Sequence, residues 1–190
     1  MNTSQHTGKH LLTAALLLVL FSTAVFGQRI RVNPDTRMKA VFLMNFTRYI
    51  SWTTLDSAKS FTVGVYGLDD ILVPLKQLSR ERETSGQSIE IKNTTILEEI
   101  SACDILFVPV EHAEAFHDLR PEYPDKNILY VGESLGFATS DGAINFVKRD
   151  GKIKLEINRK ALKDANLVAS SQLLKLAELV GEDGEVIINE

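Results

Sequence analysis

The segment Asp104-Ile105-Leu106-Phe107-Val108-Pro109-Val110 is an almost continuous run of apolar residues. A strand that is apolar on both faces has to be covered on both faces, as the strands of a parallel sheet are. Similar strand-like segments lie at residues 61–66, 88–92 and 127–131, and helix-like segments separate them. This alternation predicts an α/β fold built on parallel strands.

The helix-like segments lie at residues 69–80, 94–100 and 111–119, where Pro74 is the residue least suited to a helix. A longer helix precedes the first strand. It begins at Asn33-Pro34-Asp35, with Asn33 as its cap, and runs to about Trp52. This helix is apolar on nearly all sides, which predicts burial on more than one face. Asn45 lies in its apolar stripe, and we expect its amide to be buried and bonded to backbone.

The pattern changes after residue 142. Residues 143–148 and 152–158 flank Asp150-Gly151, a strong hairpin signal that makes the sheet mixed. Downstream we predict a helix over 159–166, a last helix capped by Ser170 or Ser171 that runs to Val180 and stops at Gly181, and a tail over 185–190 that can add an edge strand. The predicted fold is an α/β single-domain sandwich with a mixed, mostly parallel sheet, helices on both faces and a C-terminal β-hairpin followed by helices.

The N-terminus has the pattern of a secretory signal peptide. Lys9 precedes an uncharged apolar stretch over residues 11–26, and Val25 and Gly27 are small enough for a cleavage site before Gln28. The alternative is a membrane anchor, but a spanning helix needs roughly 20 apolar residues. We therefore predict a signal peptide at 1–27, a leader at 28–36, the domain at 37–180 and a tail at 181–190. The expected location is the periplasm, after export across the inner membrane.

Charge and cysteine content narrow the classes of partner. The net charge of −4 argues against nucleic acid or an anionic membrane surface as the partner.

Cys103 is the one cysteine, so no internal disulfide can form, and a buried inert thiol is expected. A reactive thiol and an intermolecular bridge are the alternatives. Only His112 and His117 follow the signal peptide, which is too few histidines for a typical zinc site, so no metal is predicted.

Two motifs invite a chemical interpretation. Gly132-Glu133-Ser134-Leu135-Gly136 matches the G-x-S-x-G of a nucleophile elbow, but no histidine follows Ser134 to take its proton. A turn flanked by glycines explains the same residues, and a serine hydrolase stays a remote alternative.

Gly64-Val65-Tyr66-Gly67 ends a strand before a helix, where a glycine-rich turn can bind phosphate. Asp69 and Asp70 at the helix start would repel phosphate, which argues against a nucleotide site here. No cofactor and no catalytic residue are predicted.

Five segments, taken in order, resemble the YfiR-like family of exported bacterial proteins. They are residues 39–52 (KAVFLMNFTRYISW), 61–67 (FTVGVYG), 103–108 (CDILFV), 142–158 (GAINFV and GKIKLEIN around the turn) and 165–177 (ANLVASSQLLKLA). The resemblance implies a compact α/β fold and a periplasmic regulator rather than an enzyme. It also implies a membrane-bound diguanylate cyclase as the kind of protein regulated, and hence a role in cyclic-di-GMP signalling and biofilm formation.

The expected partner is therefore the periplasmic part of an inner-membrane signalling protein, and a homodimer is an open alternative. The chain departs from the family in two places. The family repressor carries disulfides, whereas Cys103 has no second cysteine to join it, so redox control through an internal bridge is in doubt. The tryptophan that ends the first motif is usually followed by proline, and here Thr53 follows Trp52.

A second hypothesis is a periplasmic small-ligand sensing domain. Arg48, Tyr49 and Trp52, near the end of the first helix, are candidates for binding an aromatic or anionic ligand or a partner. The alternative is that Tyr49 and Trp52 belong to the core and Arg48 is solvated, because apolar residues at helical spacing usually face the core.

Overall fold

The structure is a computed structural model that describes residues 32–53, 60–83, 88–124, 127–181, 183 and 185–187. The strands are β1 Ile50–Trp52, β2 Phe61–Tyr66, β3 Ile89–Thr94, β4 Ile105–Val108, β5 Leu129–Gly132, β6 Ile144–Arg149, β7 Lys152–Asn158, β8 Leu167–Ala169, β9 Ala177–Val180 and β10 Val186–Ile187. The α-helices are α1 Pro34–Tyr49, α2 Leu72–Glu83, α3 Leu97–Ile100, α4 Ala113–Leu119, α5 Phe137–Ser140, α6 Arg159–Asp164 and α7 Ser171–Leu174. Single 3₁₀ turns at Val110–His112 and Arg120–Glu122 flank α4.

The main sheet has eight strands in the order β10-β9-β7-β6-β5-β4-β2-β3. Strands β2 to β6 pair in parallel, β7 runs antiparallel to β6, β9 runs parallel to β7, and β10 returns antiparallel to β9. The α/β prediction with a mixed, mostly parallel sheet is confirmed. The predicted hairpin is confirmed as β6 and β7, and Asp150 and Gly151 take positive φ angles of 51° and 73° at its turn.

Strand β4 is buried on both faces. Phe107 belongs to the larger core cluster, where its ring lies 6.1 Å from that of Phe146, and Phe46 of α1 packs on Phe146 from the same side. Leu106 belongs to a second cluster on the opposite face, which includes Phe116 of α4. The alternation along β4 explains why its sequence is apolar throughout.

Helix α1 starts as predicted but ends earlier. The Asn33 side chain accepts a hydrogen bond from the Asp35 backbone N–H at 2.9 Å, which confirms the cap. The prediction that the helix reaches Trp52 is wrong, because residues 50–52 form β1 and pair antiparallel with β8 in a separate two-stranded sheet. Asn45 is half-buried, and its side-chain oxygen accepts from Arg82 of α2 at 2.9 Å instead of from backbone.

Helix α2 is displaced from its predicted bounds of 69–80. Asp69 lies before the helix, and its carboxylate accepts a hydrogen bond from the Ile71 backbone N–H at 2.7 Å. Pro74 lies in the first turn, where its missing N–H leaves no helical hydrogen bond unmade. Helices α3 and α4 end as predicted but begin later than their sequence patterns indicate.

The predicted last helix is the largest error. Ser170 caps it as expected, accepting from the Leu173 N–H at 3.3 Å, but α7 ends at Leu174. Residues 177–180 form β9 instead, because pairing beside β7 satisfies backbone groups and buries Leu179 and Val180. The edge strand expected from the tail is confirmed as β10, antiparallel to β9.

The predicted signal peptide at 1–27 lies outside the described residues. None of the helices that the structure describes has the length and apolar character needed to cross a bilayer.

Candidate functional site

Three carboxylates meet where the parallel strands end. Asp69 follows β2, Glu111 follows β4 and Glu133 follows β5, and one oxygen from each lies within 4.8 Å of the others. We call these three residues the carboxyl edge. Strands β3 and β4 lie on opposite sides of β2, so the strand order reverses here. Ligands of open α/β sheets bind outside the carboxyl ends of the strands at such a point.

The contacts of the carboxyl edge leave it negatively charged. Lys39 of α1 forms an ion pair with Glu133, and both side chains are largely buried. The other Glu133 oxygen accepts from the Val110 backbone N–H at 3.2 Å. Glu111 is exposed, and no residue that the structure describes pairs with its carboxylate. Of the three carboxylates, only that of Glu133 pairs with a lysine of the described residues.

Carboxylate oxygens of this spacing suit a hard cation, or the ammonium or guanidinium group of another protein. Asp69, Glu111 and Glu133 are the one group of potential metal ligands found among the described residues. The prediction that the chain binds no metal stays a prediction.

His112 lies beside the carboxyl edge and packs over Gly67. Its Nε2 lies 3.3 Å from the Leu68 carbonyl oxygen. A Cβ on Gly67 would come within 2.4 Å of the imidazole ring, so a glycine is required for this close approach. The histidine thus joins the segment after β2 to the segment after β4. This packing explains the glycine at position 67, so a phosphate-binding role is not needed to explain it.

A cleft of about 420 Å³ lies at the opposite edge of the sheet, before β5 and β6. Its polar and charged lining includes Arg120, Tyr130, Thr139, Asp141, Asn158 and Asp164. The Arg120 guanidinium lies 4.4 Å from the centroid of the Tyr130 ring, and its Nε donates to the Asp141 carbonyl at 2.7 Å. The Asn158 side chain donates to the Ala138 carbonyl and accepts from the Ala161 N–H. Much of the polar lining is therefore already engaged within the fold.

His117 pairs with Asp141, one of the residues that line this cleft. The His117 Nδ1 lies 2.7 Å from Asp141 Oδ1, and Ser140 Oγ donates to Asp141 Oδ2 at 2.6 Å. The hydrogen bond and the negative charge of Asp141 raise the pKa of His117 above its usual 6.5. The imidazole itself is mostly exposed to solvent.

We expect the pairing of His117 to make stability depend on pH. A raised folded-state pKa adds stability that is complete below the unfolded pKa, near 6.5, and is lost as the pH rises through the folded value. His117→Gln should therefore destabilise the protein more at about pH 5.5 than at about pH 9. Urea unfolding at both pH values and NMR titration of His117 check this. A His117 pKa at or below 6.5 would contradict it.

Ser134 is not joined to a base. Neither His112, which lies against the Leu68 carbonyl, nor His117, which pairs with Asp141, is hydrogen-bonded to Ser134. Local structure explains why glycine occupies the first and last positions of the motif. Gly132 lies against the Phe137 ring, and Gly136 has a φ of +79°, which favours glycine. The turn interpretation explains the motif without catalysis.

None of the three candidate residues at the end of α1 belongs to the carboxyl edge or lines the cleft. Tyr49 and Trp52 are partly buried against the larger core cluster, and the Trp52 ring meets Phe61 edge to face at 4.9 Å. The Trp52 indole N–H donates to the Asn127 carbonyl at 3.2 Å. Arg48 is exposed. These contacts fit the core alternative for the two aromatic residues, and a binding role for the three stays a prediction.

Cys103 is buried, as predicted. It is 3 % exposed, its thiol donates to the Glu99 carbonyl at 3.3 Å, and burial raises its pKa from 9.0 to about 11.

The native thiol should be inert. Because two pKa units separate Cys103 from its reference value, its thiolate fraction near neutral pH is about a hundredfold lower than that of a free thiol. We expect Ellman's reagent to leave the folded protein unmodified and to titrate one thiol in urea. Equal rates in the folded and unfolded protein would show that the thiol is accessible, as a redox role would require.

A model of the YfiR/HmsC-like family matches residues 36–178. The chain belongs to this family. The matched range contains Lys39, the carboxyl edge and the cleft, so both candidate surfaces lie inside the YfiR/HmsC-like domain. No curated protein matches the chain significantly.

Two solved structures are similar to this chain. The ABC domain in complex with L-Trp from Streptococcus pneumonia is 13% identical with a TM-score of 0.51, over 77% of this chain and 62% of that one. A conserved domain protein from Vibrio cholerae O1 biovar El Tor strain N16961 is 11% identical with a TM-score of 0.49, over 79% of this chain and 61% of that one. The YfiR/HmsC-like chain thus spans about three fifths of each. At such identities the first likeness concerns the fold alone.

The carboxyl edge of this YfiR/HmsC-like domain is not predicted from the sequence. The sequence pattern places Asp69 at a helix start and Glu111 at the first position of the helix-like segment 111–119. A usable signal was present, because each of the three acids comes within three residues of the end of a buried strand.

Proposed function

We propose that this chain is a periplasmic regulator that binds the periplasmic part of an inner-membrane signalling enzyme, such as a diguanylate cyclase. Membership of the YfiR/HmsC-like family over residues 36–178 carries the proposal. The signal-peptide pattern over residues 1–27 supports the location, since it predicts export across the inner membrane.

The proposal assigns no reaction to the chain. The histidines that follow residue 27 are both engaged away from Ser134, which supports action by contact. Binding outside the membrane can change an enzyme inside it only if the regulator binds two conformations of the partner with different affinities. The chain would hold the partner in its inactive conformation and release it on a signal.

Deleting the gene tests this function. Cyclic-di-GMP should rise in the deletion strain and return to the original level when the full chain is supplied. The matched control is a chain without residues 1–27, which carries the same domain but stays in the cytoplasm and should not restore the level. Unchanged cyclic-di-GMP in the deletion strain would sink the proposal.

A small-ligand sensing domain is the second candidate, and the cleft favours it. Its volume of about 420 Å³ lies within the range of small-molecule sites. A thermal-shift screen with common metabolites tests it, with Thr139→Trp as a variant that fills the cleft. A ligand that raises the melting temperature of the wild type but not of this variant would support sensing. A screen in which no metabolite shifts the wild type would count against it.

A further inference from the structure

The segments that follow the parallel strands expose apolar side chains. Ten large apolar residues are exposed among those that the structure describes, and half of them lie within three residues of the carboxyl ends of β2 to β5. These five are Leu68, Ile96, Leu97, Val110 and Leu135. Single exposed apolar residues are ordinary, but a group of them rimmed by polar residues marks an interaction surface.

The same segments carry the carboxyl edge. Leu68 precedes Asp69, Val110 precedes Glu111, and Leu135 lies two residues after Glu133. Hydrogen bonds join the segments after β2, β4 and β5, since the Val110 N–H donates to Glu133 and His112 reaches the Leu68 carbonyl. Leu68, Val110 and Leu135 therefore lie in the same segments as three carboxylates, of which Lys39 pairs with Glu133, and Ile96 and Leu97 follow the neighbouring strand β3. We call the five apolar residues and the carboxyl edge together the docking surface.

We propose that the docking surface binds a segment of the membrane partner in which a lysine or arginine is flanked by apolar side chains. The proposal rests on the proposed function and adds where the partner binds and what chemistry it presents. A cationic side chain would complete the charge balance that one lysine leaves open, with Glu111 as its exposed acceptor. Leu135, which is fully exposed, would lose the most contact with water on binding.

A second copy of this chain fits the docking surface poorly. A two-fold dimer places the same patch of each subunit against its partner. Such a contact through the docking surface would bring two carboxyl edges together, and like charges at an interface disfavour association. A homodimer, if one forms, should therefore use another face and leave the docking surface open.

Two substitutions test the docking surface, each with a matched control. Glu111→Lys reverses the exposed charge, and Asp118→Lys makes the same change at an exposed carboxylate of α4 outside the docking surface. Leu135→Ser removes the most exposed apolar side chain, and Leu176→Ser does so at another exposed leucine. Each full-length variant is supplied to the deletion strain, and cyclic-di-GMP is measured. A photo-crosslinking residue at position 135 or 176 reports contact with membrane proteins.

We expect Glu111→Lys and Leu135→Ser to leave cyclic-di-GMP near the deletion level, while both controls restore it. Crosslinking from position 135 should yield one inner-membrane protein and fall at least about tenfold with Glu111→Lys. Melting temperatures should match the wild type, because the replaced side chains are exposed. If the wild type restores the level and both variants do so as well, the docking surface is wrong. If the wild type itself changes nothing, the proposed function fails instead.

A divalent cation is the competing occupant of the carboxyl edge. Millimolar Ca²⁺ or Mg²⁺ is added to the purified wild-type protein and to Glu111→Gln, and thermal melting is followed. We expect no change in either. A melting temperature that rises in the wild type but not in the variant would make the carboxyl edge a cation site and overturn the docking proposal.

Discussion

Replacing Phe116 with alanine is expected to lower the free energy of unfolding by about 3–5 kcal/mol. Phe116 is fully buried, and it is the one buried residue of α4. Its ring lies 5.2 Å from that of Tyr66, 5.4 Å from Tyr123, 5.7 Å from Tyr130 and 6.0 Å from Phe137. Truncation would leave a cavity lined by four aromatic rings that cannot all move inward.

The expected loss is a large share of the stability of a single domain, which is about 5–15 kcal/mol. Urea unfolding followed by fluorescence measures it. Leu119→Ala is the matched control, because Leu119 lies on the same helix, is an apolar residue and is 39% exposed. Its change should stay below about 1 kcal/mol. Equal losses in the two variants would show that the cavity at Phe116 closes by relaxation.

The strands that could be predicted are those whose signal is local. Strands β2, β4 and β5 are short, mostly apolar segments. The Asp150-Gly151 pair predicts the hairpin of β6 and β7. Each pattern is complete within its own segment, so the α/β class follows without knowledge of strand order. The cap of α1 at Asn33 could be predicted for the same reason.

The strands that were missed depend on distant partners. Residues 50–52 continue the apolar spacing of α1, and only pairing with residues 167–169 makes them a strand. Residues 177–180 follow a helix cap at Ser170 and carry good helix formers, yet they lie beside β7. Tertiary pairing overrides local propensity in both places.

The carboxyl edge could not be predicted either, because it also depends on contacts between segments that are distant in the sequence. That each of its three acids follows a strand is visible in the sequence, but which strands are neighbours is not. Asp69 and Glu111 lie close because β4 crosses back to pair with β2 rather than β3. Lys39 reaches Glu133 across 94 positions of the chain. The sequence pattern alone predicts neither the pairing of β4 with β2 nor the contact between Lys39 and Glu133.

Gly132→Ala should cost about 2–3 kcal/mol through overpacking alone. A Cβ at this position would lie 2.3–2.6 Å from the ring atoms of Phe137, which is 1% exposed. The ring cannot retreat, because Gly142 bounds it on another side, where an added Cβ would lie 2.3 Å from the same ring. The two glycines therefore form a slot for Phe137, and this explains the glycine at the end of β5 without any catalytic serine.

Gly151→Ala is the informative control, because it separates crowding from backbone strain. Gly151 has a φ of +73°, and nothing lies within 4 Å of its added Cβ, so only the left-handed conformation is penalised, by about 1–2 kcal/mol. The crowding at Gly132 should instead depend on the ring. Phe137→Leu combined with Gly132→Ala should lose less stability than the sum of the two single changes, as measured by urea unfolding in a double-mutant cycle. Additive losses would mean that Gly132 and Phe137 do not compete for the same space.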